Sequence, residues 1–204
     1  DISSLKEVQV DFIQLLLNEG GLKNYNYLLK VLDNLKSLEE IKLERDLIEY
    51  HDDLVKWKWI DNDYPKIAIF LYKSLLQSGN TELADSIVEI SKRHQINAKI
   101  VWITSFKSKD IQKEIINLLD NEKIEAIITT TSFSSVEYKN DNIKNSLWDT
   151  LDVPVYQLLI SSSTVNEWKK STVGLNPIDL SIQVVLPEVD GRICTVPIAF
   201  KNLS

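Results

Sequence analysis

Apolar positions recur every three or four residues through the first third of the chain and in unbroken runs after it. Residues 5 to 19 carry Val8, Val10, Phe12, Ile13, Leu15, Leu16 and Leu17. That density predicts a helix covered over more than one narrow stripe. Gly20-Gly21 ends it in the manner of a left-handed cap. A second helix is predicted from about Leu22 to Leu35, with Tyr27, Leu28, Val31, Leu32 and Leu35 on one face, and a short third one around Ser37 to Leu43. Tyr50-His51-Asp52-Asp53 interrupts the pattern. Trp57 and Trp59 alternate with Lys56 and Lys58, and Asp61-Asn62-Asp63 reads as a linker. A domain boundary is placed there, with a helical segment at 1–62 and an α/β domain at 63–204.

From Pro65 onward the pattern changes. Lys66 to Tyr72 (KIAIFLY) is continuous and apolar, as in a strand buried on both faces. Ala98 to Ile103, Glu125 to Thr129, Val153 to Ile160 and Leu180 to Leu186 are the next predicted strands. Helices are predicted at about Thr81 to His94 and Lys109 to Leu119, with a short one at Thr164 to Lys170. Strand and helix in alternation predict an α/β fold, a parallel five-stranded sheet flanked by helices, of flavodoxin-like or Rossmann-like kind.

Open sheets of this class bind ligands at the carboxyl ends of their strands. Lys73-Ser74, Thr104-Ser105-Phe106-Lys107-Ser108, Thr130-Thr131-Ser132, Ser161-Ser162-Ser163-Thr164 and Glu188-Val189-Asp190-Gly191-Arg192 follow the five predicted strands. One such hydroxyl cluster is ordinarily a helix cap. Five polar ends converging on one rim point to a crevice for a polar small molecule. Phe133 to Asn145 is long and polar, either a lid over that rim or an exposed loop.

The densest chemistry lies in Val184 to Lys201. Val184 to Leu186 is apolar, Pro187 stops a strand for want of an N–H, and Glu188, Asp190 and Arg192 follow, with Gly191 as a hinge. The apolar run Ile193 to Phe200 comes next. This is either a charged turn between strands or an edge that handles a ligand or metal.

Composition removes several alternatives. A net charge of −7 and a pI near 5.0 argue against nucleic acid and acidic membranes as partners. A lone cysteine, Cys194, excludes an internal disulfide and a cysteine zinc cluster, and it reads as a core residue. No apolar run has the length of a membrane span, and no secretory signal pattern opens the chain. The chain has no methionine, which suggests a piece excised from something longer. GxGxxG, GxxxxGK[ST] and GxSxG are absent. His51 and His94 lack a partner at metal-ligand spacing. His94 ends a helix, where a cation is favourable.

Trp168, Ser171, Gly174-Leu175, Pro177, Asp179-Leu180, Leu186-Pro187-Glu188, Asp190-Gly191-Arg192-Ile193 and Phe200-Lys201 together resemble the large subunit of cobaltochelatase. Its family includes the porphyrin-binding subunit of magnesium chelatase. Upstream, Gly20-Gly21 with Asn24 resembles the family's GG-x-x-N lead-in to a helix. Tyr50-His51, Tyr72-Lys73-Ser74, Ser105-Phe106-Lys107, Thr131-Ser132-Phe133 and Pro154-Val155-x-Gln157 follow in the family's order. Lys73 for Arg and Phe106 for Leu are mild departures. Asp190-Gly191-Arg192 and Phe200-Lys201 point to the cobalt branch.

The resemblance implies a segment of a cytoplasmic, ATP-dependent chelatase of cobalamin biosynthesis, inactive in isolation. Its substrates would be cobalt and the tetrapyrrole hydrogenobyrinic acid a,c-diamide. ATP would be hydrolysed on separate AAA+ motor subunits, which fits the missing P-loop. Insertion releases two ring protons and strips water from the cation, work for a carboxylate. On this basis Glu188 is expected as base or transient metal ligand, with Asp190 supporting it. Arg192 and Lys107 are expected as anion contacts, with Ser105 and Thr131 beside the substrate. The alternatives are that Glu188 and Asp190 cap backbone while Arg192 pairs with one of them, that the segment belongs to the magnesium branch, or that it is a non-catalytic ligand-binding or interaction module.

Overall fold

The computed structural model describes residues 5–36, 60–61, 63–132, 134–135, 138–139, 142–143 and 147–200. The expected third helix at 37–43, His51, the Trp57–Trp59 stretch, Phe133 and Lys201 lie outside the described residues. The chain divides into two compact units, Asp1–Asp52 with Lys73–Thr81, and Asp53–Tyr72 with Glu82–Ser204.

The first unit contains α1 (Glu7–Glu19), α2 (Gly21–Lys36) and, from further along the chain, α3 (Lys73–Gln77). Phe12 and Leu16 pack against Leu28 and Val31, and the Phe12 and Tyr27 rings meet edge-on at 5.8 Å. The turn between α1 and α2 differs from a left-handed cap. Gly20 sits at φ 63°, ψ −163°, a region that essentially only glycine occupies. A Cβ there would lie 2.7 Å from the Gln77 Cβ. Asn24, fully buried, donates to the Gly20 carbonyl at 2.7 Å, and the Gln77 amide donates to Asn18 O. The GG-x-x-N pattern is therefore a turn locked by its own asparagine. Gly20→Ala is expected to destabilise this unit by about 1–3 kcal/mol, the penalty for a strained backbone. Helical circular dichroism during thermal unfolding would measure the loss.

The second unit is the α/β sheet. Its strands are β1 (Lys66–Tyr72), β2 (Asn97–Ile103), β3 (Ala126–Thr129), β6 (Val155–Ser161) and β7 (Ile193–Phe200), and a separate pair, β4 (Tyr138–Lys139) and β5 (Asn142–Ile143), is antiparallel. The five strands are parallel throughout, in the order β2-β1-β3-β6-β7. Helices α4 (Glu82–Arg93), α5 (Lys109–Leu119), α6 (Leu147–Leu151) and α7 (Val165–Lys170) fill the crossovers. One face of the sheet is sealed by Ala68, Phe70, Val101, Ile103 and Ile127 from the strands, packed on Ile115 and Leu119 of α5 and Leu147 and Trp148 of α6. Asn97 fastens the expected linker to the sheet: its side-chain Oδ1 accepts from the Ile60 and Asp61 N–H groups at 3.1 and 3.3 Å.

The fifth strand is not where the hydrophobic pattern placed it. Leu180 to Leu186 is helical: α8 (Pro177–Leu180), a π-helical turn (Ser181–Val185) and α9 (Leu186–Val189) follow without a break. Asn176 caps this run by accepting from Ile178 N and Asp179 N, and Pro177 stands at the first helical turn, where its missing N–H is no loss. Pro187 cannot donate to the carbonyl of Gln183, four residues back. That carbonyl instead faces the Cys194 thiol at 3.9 Å. The Gln183 side chain brackets the Ile160 peptide, accepting from its N–H and donating to its C=O, as a neighbouring strand would. The edge place falls to Ile193–Phe200.

Candidate functional site

Register determines what meets at the rim. Val101, Phe70, Thr129, Gln157 and Cys194 form one row across the five strands. Thr129 is the last residue of β3, yet Gln157 and Cys194 stand near the starts of β6 and β7. The sheet is thus staggered, and the residues leading into β7 lie level with the carboxyl end of β3. The order reverses at β1, whose successors on either side are β2 and β3. Crevices form at such a reversal because the connections leave in opposite directions.

A crevice of about 270 Å³ occupies that position. Among the described residues it is lined by Tyr72 from the end of β1, Thr104, Ser105, Phe106 and Lys107 from the loop after β2, and Thr131 and Ser134 from the loop after β3. Three residues expected at the site from sequence, Ser105, Lys107 and Thr131, are therefore brought together. The Ser105 hydroxyl accepts from Lys107 N at 3.1 Å, which folds the loop back before Ser108 caps α5. Thr131 Oγ1 pairs with Thr129 Oγ1 at 2.8 Å, and Ser132 N donates to the Tyr72 phenol oxygen at 3.1 Å.

Asp190 and Arg192 lie directly behind this wall, buried. The Arg192 guanidinium donates to Asp190 Oδ2 and Thr131 O at 2.7 Å each and to Gln157 Oε1 at 3.0 Å. Its Cζ lies 5.2 Å from the Trp148 ring centre and 5.6 Å from that of Phe106. Burial pushes the guanidinium below its ordinary pKa, and the Asp190 charge and hydrogen bond pull it back. Asp190 also accepts from Ser134 Oγ, from Ser135 N at 2.8 Å and from Trp148 Nε1 at 3.3 Å. The pair thus ties the loop after β3 to the base of β7. These contacts make the pair a brace for Thr131 and Ser134, which face the crevice.

Glu188 is placed elsewhere, exposed on α9 and outside the crevice lining. Among the described residues no group of three or more His, Cys, Asp or Glu could hold a metal ion. The Glu188 charge is felt at Cys194, whose thiol pKa is raised first by burial and then by Glu188, with Arg192 opposing. The thiolate is the reactive form. Cys194 is therefore expected to react with iodoacetamide at neutral pH more slowly in the folded chain than in urea. Its rate should climb only above the ordinary thiol range, followed by mass spectrometry across pH.

A second polar cluster stands at the end of β6. Asp179, buried, accepts from Ser162 N at 2.8 Å, Ser162 Oγ at 3.0 Å and Asn176 Nδ2 at 2.9 Å. It is internally satisfied and shapes the β6 loop. From sequence, Tyr72, Gln157 and Asp179 entered only as landmarks of the resemblance, with no site role, and Trp148 was not singled out. Gln157 carried a legible signal, a polar residue in the middle of an apolar strand, which needs a buried partner. Of the polar loop at 133–145, Ser134 and Ser135 are held on Asp190 and two short segments pair as β4 and β5. Among the described residues no helix is long and apolar enough to cross a membrane.

A family model described as CobN/Magnesium Chelatase matches residues 16–204. The aerobic cobaltochelatase subunit CobN of Pseudomonas aeruginosa is 30% identical over 140 residues, which are 69% of this chain and 11% of that protein. The chloroplastic magnesium-chelatase subunit ChlH of Oryza sativa subsp. indica is 28% identical over 150 residues, 70% of this chain and 10% of that protein. The chain thus spans about a tenth of the length of these relatives. Among solved structures, the catalytic subunit of cobaltochelatase from Mycobacterium tuberculosis superposes with a TM-score of 0.77 at 20% identity, covering 96% of this chain and 17% of that one. At that identity the likeness speaks to the fold alone.

Proposed function

Because the chain belongs to the CobN/magnesium chelatase family, we propose that it is part of a subunit that inserts cobalt into a corrin precursor, hydrogenobyrinic acid a,c-diamide, in cobalamin biosynthesis. In this reading ATP is hydrolysed on AAA+ partner subunits, cobalt is the substrate metal, and this chain supplies part of the tetrapyrrole-binding surface. The supporting observation is the crevice at the reversal of strand order, walled by Ser105, Lys107 and Thr131.

Metal insertion replaces two pyrrolic N–H protons by one divalent cation, so two protons must leave the ring and the cation must shed water. None of the described crevice residues is a carboxylate, so the ring protons are not assigned to them. Their work is to hold the periphery of the macrocycle. Asp190 and Arg192, with their groups bonded to one another, act by positioning Thr131 and Ser134. Glu188, exposed on α9, is the carboxylate left to accept a proton or steady the cation. One carboxylate is too few for a complete metal site, so the isolated chain is expected to bind the tetrapyrrole without metallating it.

Trp148 touches Phe106 with ring centres 4.8 Å apart, so tryptophan fluorescence reports on the crevice. Titration with hydrogenobyrinic acid a,c-diamide is expected to give saturable quenching, weakened at least about tenfold by Lys107→Glu through loss of a charge-assisted contact. A folded chain that binds no tetrapyrrole would remove this reading. Preference for a porphyrin over the corrin precursor would move the chain to the magnesium branch, that of ChlH, to which it is 28% identical over 150 residues.

A further inference from the structure

The crevice is small, and a single charge stands among its described lining residues. At about 270 Å³ it falls just below the roughly 300–1,000 Å³ that drug-sized ligands fill. A tetrapyrrole, with four linked rings, is larger than such ligands and cannot enter it whole. The chain carries 30 Asp and Glu against 23 Lys and Arg, yet the only charged residue among the described ones lining the crevice is Lys107. The other polar side chains among the described lining residues are hydroxyls.

Those hydroxyls are not equivalent. Ser134 Oγ is directed to Asp190, and Thr131 Oγ1 to Thr129. The Tyr72 oxygen is already fixed from one side, because Ser132 N donates to it at 3.1 Å. A phenol oxygen that accepts still has its own proton to give. The Ser105 oxygen likewise accepts from Lys107 N and keeps its proton. Two hydroxyl donors with their oxygens pinned by backbone N–H groups, beside one ammonium and against the apolar ring of Phe106, form a donor set for an anion.

We infer that this crevice is a subsite for a single carboxylate arm, with Tyr72 and Lys107 as its principal contacts, and that the macrocycle proper lies outside it. In this arrangement the two carboxylate oxygens accept from the Tyr72 hydroxyl and the Lys107 ammonium. The methylene stem of the arm rests on Phe106. Only the assignment of the arm to a tetrapyrrole rests on the chelatase reading; the carboxylate preference does not.

The test uses the whole 204-residue chain and two probes. In the first arm, propionate and the neutral isostere propionamide are titrated while backbone amide signals of Ser105, Phe106, Lys107 and Ser132 are followed by NMR. Propionate is expected to shift these four together and saturably, and propionamide to leave them unmoved. Tyr72→Phe, which keeps the ring, should weaken propionate about three- to tenfold, the worth of one hydrogen bond. Equal response to both probes, or a Tyr72→Phe chain that binds propionate as wild type does, would overturn the subsite. In the second arm, hydrogenobyrinic acid a,c-diamide is compared with its methyl ester. Loss of binding on esterification, shared by Tyr72→Phe, supports the assignment of the arm. Equal binding of acid and ester overturns that assignment while leaving the chelatase reading intact. Propionate binding with no tetrapyrrole binding retains the carboxylate subsite and removes the chelatase reading.

Discussion

Asp190→Ala is expected to lower the stability of the α/β unit by about 3–5 kcal/mol, the usual result of removing one partner of a buried ion pair. The side chains of Asp190 and Arg192 are both fully shielded from solvent. Without the carboxylate, the guanidinium keeps its bonds to Thr131 O and Gln157 Oε1 but loses the charge of Asp190 at 2.7 Å. Ser134 Oγ, Ser135 N and Trp148 Nε1 lose this acceptor at the same time. A double variant, Asp190→Ala with Arg192→Met, leaves no buried charge behind. It should therefore cost clearly less than the sum of the two single changes, a coupling that a double-mutant cycle in urea resolves. A loss below about 1 kcal/mol for Asp190→Ala would mean that the pair behaves as a surface pair does, and the brace would have to be sought elsewhere.

That brace was half legible in the chain. Glu188, Asp190 and Arg192 stood out because three charges within five residues between apolar runs need an explanation. Their neighbours did not, because they come from the register of distant strands. Only the stagger that sets Thr129 level with Gln157 and Cys194 brings residue 192 to the end of β3. The same limit moved the fifth strand. Leu180 to Leu186 is apolar and partly β-branched, and a short run of that kind does not by itself distinguish strand from buried helix. The local signal for helix sat upstream, in Asn176 as cap and Pro177 at the first turn. The deciding contact, Gln183 on the Ile160 peptide, spans 23 residues and leaves no trace in local pattern. Strands β1, β2, β3 and β6 were readable because a parallel sheet buries both faces and writes its strands as continuous apolar runs. Ser105, Lys107 and Thr131 were found because polar residues after such runs must lie at the carboxyl rim. Tyr72 was legible only as a landmark of the family resemblance; as the last residue of an apolar run, it gave no local sign that it would line the crevice.

Phe106→Ala is expected to have an effect of similar size, about 3–5 kcal/mol for truncating a buried aromatic, and it reaches the crevice as well. Phe106 is 4% exposed and its ring meets Phe70 at 5.5 Å and Trp148 at 4.8 Å, centre to centre. The same ring underlies the Arg192 guanidinium and walls the crevice. One side chain thus carries the aromatic core, the desolvation of the ion pair and the apolar floor of the proposed subsite. Phe106→Leu separates these roles. Leucine keeps an apolar filling at this place, so its cost should fall to roughly 1–2 kcal/mol. It removes the ring face on which the guanidinium rests, a contact worth about 0.5–2 kcal/mol depending on how dry it is. If packing dominates, Phe106→Leu should unfold in urea close to wild type and still bind propionate. If the ring face on Arg192 dominates, Phe106→Leu should approach Phe106→Ala in stability, and coupling to Arg192→Met in a double-mutant cycle should account for the difference. The packing arithmetic favours the first outcome, because the 3–5 kcal/mol of aromatic truncation exceeds the most that a cation over the ring contributes.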